Sequence, residues 1–264
     1  MTHTDAAAPR WRRWRHRVDL VNHLARREFR LRYHGSTLGV LWFLAVPLAQ
    51  LVVLVFLFQS VIPLGIEDYP AFVFSGLLPW SWFSASVSAA AGLFVGNRDL
   101  VRQPGFSPAI LVVVNAVSNV VPLVLSLPIL IGLVGWYGRP PGVSLLLVPV
   151  LIVIQGVLLV GLGLAVATLN VFYRDVHHAV TVGLMLFFYM TPVFYRPQEI
   201  GERFHWLFRW NPVAVLVEGY RAVVLRGTVP ALGPLLLASL TSAGILAVAL
   251  RLYQARRHDL VDTL

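Results

Sequence analysis

Residues 145–171 run without one ionisable side chain. About 20 apolar residues already carry a helix across some 30 Å of hydrocarbon. A backbone placed in lipid must satisfy its own hydrogen bonds, so only helices and closed barrels can span it. Barrel strands alternate apolar and polar residues in short segments. This run is continuous, so it predicts a helix. Comparable runs recur at about 39–62, 70–96, 108–137, 176–195 and 231–253, with the first run widening to about 143–171. Only 12% of residues are charged, where a soluble domain carries about 25%. The expected fold is therefore all-α: a polytopic membrane protein with six transmembrane helices. The stretch 196–230 is apolar but interrupted by Pro197, Pro212 and Pro230. It predicts short re-entrant-like helices before the last span. Two regions follow from this reading, a cytoplasmic arm at 1–33 and a transmembrane domain at 34–264.

What the chain lacks narrows its chemistry. It has no cysteine, and all 21 of its basic residues are arginine. A P-loop needs a lysine on the phosphates, so none is present. If ATP drives this protein, another chain binds it. The spans hold amides rather than acids or histidines: Gln50, Asn115, Asn119, Gln155 and Asn170. Proton-coupled carriers place ionisable groups at mid-membrane, and an intramembrane enzyme needs acid–base groups. The amides read first as hydrogen-bonding glue between helices. His177 and His178 are adjacent but have no third ligand nearby in the sequence, so no metal site is expected. No catalytic residue and no cofactor of its own are expected. Gly92 and Gly96, and the group Gly156, Gly161, Gly163 and Ala167, have the spacing of close helix contacts.

Charge gives the orientation. Nine arginines fall in the first 32 residues, with Trp11 and Trp14 between them. A nucleic-acid-binding arm would show a similar composition. Beside a first span, however, the positive-inside rule and anionic headgroups explain it better, and no nucleic-acid partner is expected. With six spans, fifteen arginines lie on the side of the termini and six on the other. Both termini are therefore expected in the cytoplasm of a plasma (inner) membrane protein. The excess of arginine at 196–226 runs against this rule locally. Residues 17–33 place Leu20, Val21, Leu24 and Phe29 on one half of a helical wheel, which predicts an amphipathic helix in the headgroup plane.

Three groups of residues are candidates for function on their own chemistry. The connector 97–108 holds Leu100 and Val101 between Arg98, Asp99 and Arg102. It reads either as a short helix docking a soluble partner or as a solvated connector. Trp42, Phe187, Phe188 and Tyr189 offer ring faces that can stack on the C–H-rich faces of sugars, or that anchor span ends. Arg27, Arg30 and Arg32, with Tyr33, precede the first span. Their guanidinium groups can receive phosphate oxygens, or simply attract anionic lipids.

Three stretches together resemble the ABC-2 type permeases of polysaccharide export, the family that exports O-antigen, capsule and teichoic acid. In the first, Arg27, Glu28, Arg32, Tyr33, Ser36, Leu38, Gly39, Trp42 and Pro47 fit the family pattern, with Glu28 in place of the commoner aspartate. In the second, Asn170, Arg174, Asp175, Thr191 and Pro192 fit, and in the third, Asn211, Pro212, Arg221, Leu225 and Gly227. The resemblance covers roughly residues 20–260. It implies a homodimer of permeases with two ATP-binding subunits, which alone carry ATP and Mg. It implies a channel that takes a polyprenyl-diphosphate-linked glycan outward. It makes Arg98, Asp99, Leu100, Val101 and Arg102 the coupling segment. It puts Arg27, Arg30, Arg32 and Tyr33 near the cytoplasmic lipid entrance, and Asn211, Pro212, Glu218 and Arg221 at an outer gate. The rival readings are an ABC-2 exporter of a drug or small lipid and, from another class, a membrane-bound lipid-linked sugar transferase.

Overall fold

The computed structural model describes residue 19 and residues 42–139, 142–199, 201 and 205–264. The expected interfacial helix at 17–33 therefore lies outside the described residues, apart from Asp19. Every regular element among the described residues is helical. Helix α1 (Trp42–Val55) runs on into a π-helical turn, Phe56–Val61. Helix α2 (Tyr69–Ala91) is followed by the short α3 (Leu93–Gly96) and α4 (Arg98–Val101). Then come α5 (Ala109–Trp136), α6 (Val148–Phe172) and α7 (Asp175–Met190). Two short helices, α8 (His205–Trp210) and α9 (Pro212–Tyr220), precede the last helix, α10 (Leu232–Thr263). Proline in the first turn starts α2, α6 and α9, where its missing N–H costs no hydrogen bond.

Four described segments are long and apolar enough to cross a membrane: Leu44–Val61, Ala109–Trp136, Val143–Phe172 and Leu232–Thr263. The expectation of six is not met on that criterion. Helix α7 has 16 residues, about 24 Å at 1.5 Å per residue. Helix α2 is long enough but diluted by Ser75, Ser81, Ser84, Ser86 and Ser88. Its position explains the dilution. It is the central helix, packed by α1, α5, α6, α7 and α9, and most of its residues are buried. A helix sheathed by other helices needs no lipid-facing apolar surface. The last helix, expected to end near residue 253, continues to Thr263. Apolarity stops there while helix propensity persists through Arg256 and Arg257.

The two glycine patterns behave differently. A Cβ on Gly161 would lie 2.8 Å from the Leu246 backbone nitrogen, so this glycine lets α6 and α10 touch. A Cβ on Gly163 would come within 2.9 Å of Val112 on α5. Gly92 and Gly96 meet nothing within 4 Å; they end α2 and α3 rather than bring helices together.

Two apolar cores result. The larger surrounds α2. The smaller gathers Phe94, Val101, Leu111, Val171, Tyr253 and Leu260 at the end of the bundle that holds the C terminus. At the opposite end Arg139 and Asp68 pair at 2.8 Å, and Ser144 Oγ donates to the Val223 carbonyl at 2.8 Å. Helices α1 and α7 stand at the edge: α7 has no buried residue, and Pro47 is the buried described side chain of α1.

Candidate functional site

Between α1, α2, α5 and α7 lies a cavity of about 490 Å³. Its polar lining comes from Gln50, Ser81, Ser84, Ser88, Asn119 and Thr181, and Trp42 and Pro47 form part of its wall. Among the described residues, no charged side chain lines it. Ser81, Ser84 and Ser88 recur at spacings of three and four, which puts them on one stripe of α2. That stripe was the sequence signal for this cavity, and reasoning from aromatics passed over it.

Behind the cavity the buried amides link helices. Asn115 Nδ2 donates to the Ser86 carbonyl at 2.8 Å, and Asn119 Nδ2 to Asn115 Oδ1 at 2.8 Å. Gln155 Nε2 donates to the Pro79 carbonyl at 2.7 Å, and Trp82 Nε1 to the Ala116 carbonyl at 3.0 Å. The Asn115 and Gln155 bonds are the interhelical links expected of amides in a membrane interior, while the Asn119 bond stays within α5. Gln50 differs, being exposed on the cavity side of α1.

The four aromatic candidates divide. Trp42 is 50% exposed and lines the cavity, and Tyr189 is 63% exposed on α7. Phe187 and Phe188 are half-buried against α2. Phe187 sits 5.9 Å from the Trp80 ring and 5.8 Å from Phe83, while Phe188 sits 5.4 Å from Trp80. Their rings hold α7 to the bundle.

The segment following α7 is built around two residues. Asn211 caps α9: its Oδ1 accepts from the Val213 and Ala214 N–H groups at 2.9 and 3.2 Å. Its Nδ2 reaches Thr191 Oγ1 at 3.3 Å, and Thr191 is buried at the end of α7. Pro212 then occupies the first turn, where its fixed φ suits a helix start. Arg221 is fully buried in a π-helical turn, Arg221–Leu225. Its guanidinium lies 3.7 Å over the Phe72 ring and donates to the Val193 carbonyl at 2.7 Å. Its Nη1 stands 3.7 Å from Glu218 Oε2, an ion-pair distance without a hydrogen bond. Burial pulls this guanidinium down from its ordinary value to about 10, Glu218 opposes the shift, and the group stays charged at neutral pH. Glu218 also holds Arg226 at 2.6 Å, a pairing eight residues apart that no helical period announces. So Asn211, Pro212, Glu218 and Arg221 do come together, as parts of one hairpin pinned to α2 and α7.

The coupling candidates sit at the C-terminal end of the bundle. Arg98, Asp99 and Arg102 are exposed and Leu100 is half-buried. Val101 is 2% exposed within the smaller core, so it cannot present itself to a partner. That corrects its reading as a docking residue: an α-helical turn puts neighbouring side chains about 100° apart, and the core took Val101. Arg27, Arg30, Arg32 and Tyr33 lie outside the described residues. His177 and His178 are exposed on α7, and among the described residues no cluster of three metal-ligating side chains occurs.

Comparison with known proteins places this arrangement. A family profile described as ABC-2 type transporter matches residues 19–225. The O-antigen export system permease protein RfbA of Myxococcus xanthus is 34% identical over 247 residues, covering 93% of this chain and 95% of that protein. A protein of the same description from Klebsiella pneumoniae is 30% identical over 79% of this chain and 81% of its own length. The polysialic acid transport protein KpsM of Escherichia coli is 22% identical over 92% of this chain and 95% of that protein. A helical bundle matched by the family profile over most of its length, and by such relatives nearly end to end, belongs to the ABC-2 type transporter family.

Proposed function

We propose that the chain is the membrane permease subunit of an ATP-driven exporter, moving a polyprenyl-diphosphate-linked polysaccharide outward across the plasma membrane. The observation that carries this is the uncharged polar cavity beside α1 and α7. Ser84, Asn119 and Thr181 bond within their own helices. The side chains of Gln50, Ser81 and Ser88 have no hydrogen bond among the described residues. Lipid tails cannot satisfy such groups, and leaving each unpaired costs several kcal/mol by order of magnitude. That face is therefore served by water, by a second copy, or by a hydroxyl-rich substrate. Hydroxyls and amides bond sugar hydroxyls, and Trp42 supplies a ring face. The names of the relatives, O-antigen export and polysialic acid transport, support the same class of substrate.

The rest of the reading is consistent with the chain's chemistry. Two copies meeting along α1 and α7 enclose a path, with six spans each and both termini in the cytoplasm. Without lysine the chain cannot build a P-loop, so two separate subunits hydrolyse the ATP. Arg98, Asp99, Leu100 and Arg102 face those subunits. Arg27, Arg30, Arg32 and Tyr33 receive the diphosphate at the cytoplasmic surface. The hairpin of Asn211, Pro212, Glu218 and Arg221 closes the outer end.

The test is reconstitution. Vesicles holding this chain and its ATPase should move a lipid-linked glycan to the far leaflet in the presence of ATP, and vesicles holding this chain alone should not. Transport without the ATPase, or transport of small amphipaths with none of the glycan, overturns the reading.

A further inference from the structure

The arginines of 196–226 oppose the charge asymmetry of the rest of the chain, so each needs a local reason. Arg221 is buried against Phe72. Arg226 is paired with Glu218 at 2.6 Å. Arg196 lies 5.9 Å over the Phe72 ring. Arg203 lies outside the described residues. Arg209, on α8, is exposed, and no ion pair or hydrogen bond of its side chain occurs among the described residues.

Arg209 lines a cavity of about 770 Å³ between α8, α9 and the start of α10. Phe208, Trp210, Val215, Leu235 and Leu237 wall it, and its ionisable lining among the described residues is Arg209, Arg226 and Glu218. The size lies within the range of small-molecule sites, about 300–1,000 Å³. Among the described residues Glu218 balances Arg226, and Arg209 adds a positive charge. An apolar pocket with a free guanidinium at its rim matches one ligand chemistry: a hydrocarbon chain ending in a phosphate. A planar guanidinium binds phosphate oxygens by paired hydrogen bonds.

We propose that this cavity binds a phosphate- or diphosphate-bearing lipid, with Arg209 on the phosphate and the Phe208–Trp210–Leu237 wall on the chain. Two sources share this chemistry, an anionic phospholipid of the bilayer and the diphosphate lipid of the transported substrate. Only the second rests on the function proposed above. In that case the cavity holds the lipid end at the outer face while the glycan leaves.

A photoreactive residue at Leu237, in the permease–ATPase complex, tests the site; one at Leu236, which is 62% exposed and absent from the cavity lining, is the control. The complex is placed in phosphatidylcholine vesicles doped with either phosphatidylglycerol or undecaprenyl diphosphate. At 237, but not at 236, the doped lipid should be crosslinked out of proportion to its abundance. Arg209→Gln should cut that labelling about tenfold, the size of one lost charge-assisted hydrogen bond. Arg209→Lys should keep a large share of it. Preference for the diphosphate alone identifies the substrate lipid, and equal preference for both dopants identifies bilayer phospholipid. Labelling at 237 that follows bulk abundance, or that is unchanged in Arg209→Gln, overturns the site. A complex that fails to export glycan while still labelling selectively at 237 refutes the export reading and leaves the site standing.

Discussion

Arg221 shows how tightly one residue can bind a hairpin to a bundle. Its Nη2 and the Val193 carbonyl both crowd Gly76 on α2, each 2.9 Å from where a Cβ would stand. Gly76→Ala should therefore push the hairpin off α2, since overpacking a filled site costs about 1–3 kcal/mol. In detergent its apparent melting temperature should fall by about 2–4 °C per kcal/mol. Arg221→Lys keeps the charge but loses the planar group over Phe72, and should also melt lower. An unchanged melting temperature in both variants would show that the hairpin does not hang on this contact. The sequence offered Arg221 as a gate residue by resemblance. It could not show that the side chain is a buried strut, because Phe72 and Gly76 on α2 and Val193 after α7 are far from it in the sequence.

At the scale of elements, the long apolar runs were legible because lipid imposes length and composition on them, and α5, α6 and α10 follow. Helix α2 was harder to score as a span because protein, not lipid, surrounds it. Helix α3 fell within the expected second span and α4 within the 97–108 segment, read as a short helix or a connector; four-residue elements carry too little period to say which side chain turns inward. That side chain is Val101, and it shares the smaller core with Leu260, which has no exposed surface although its neighbours Asp259 and Val261 are exposed. The C-terminal extension of α10 thus braces the connector. Its Tyr253 ring also lies 6.4 Å from Phe94, and its Arg256 lies 5.3 Å over Phe172. Val101→Asp and Leu260→Asp should each bury an unpaired carboxylate and lose several kcal/mol, by order of magnitude. Both should yield little monodisperse protein by size-exclusion chromatography. Arg98→Glu with Arg102→Glu alters two exposed side chains of the same segment. That variant should stay folded yet lose co-purifying ATPase. The docking assignment fails if it retains the partner in full.

For the whole molecule, the open question of physics is which end faces the cytoplasm. The bundle has two distinct ends. One holds the connector 97–108, the start of α7 and the C terminus; the other holds the 62–68 turn, residues 137–139 at the end of α5, and the hairpin of α8 and α9. Arginine counts favour the first end inside, and the arginines at 196–226 are the local exception. Two of those five arginines have a structural role, Arg221 buried against Phe72 and Arg226 paired with Glu218. Orientation can be measured without background, because the chain has no cysteine. Val143→Cys places a thiol at a position that is 82% exposed at one end, and Thr263→Cys places one at the exposed tip of α10 at the other. Intact cells treated with an impermeant maleimide should label position 143 and spare position 263, and permeabilised cells should label both. Labelling of 263 in intact cells would reverse the molecule in the membrane, moving both the docking segment and the lipid cavity to the opposite faces from those argued above.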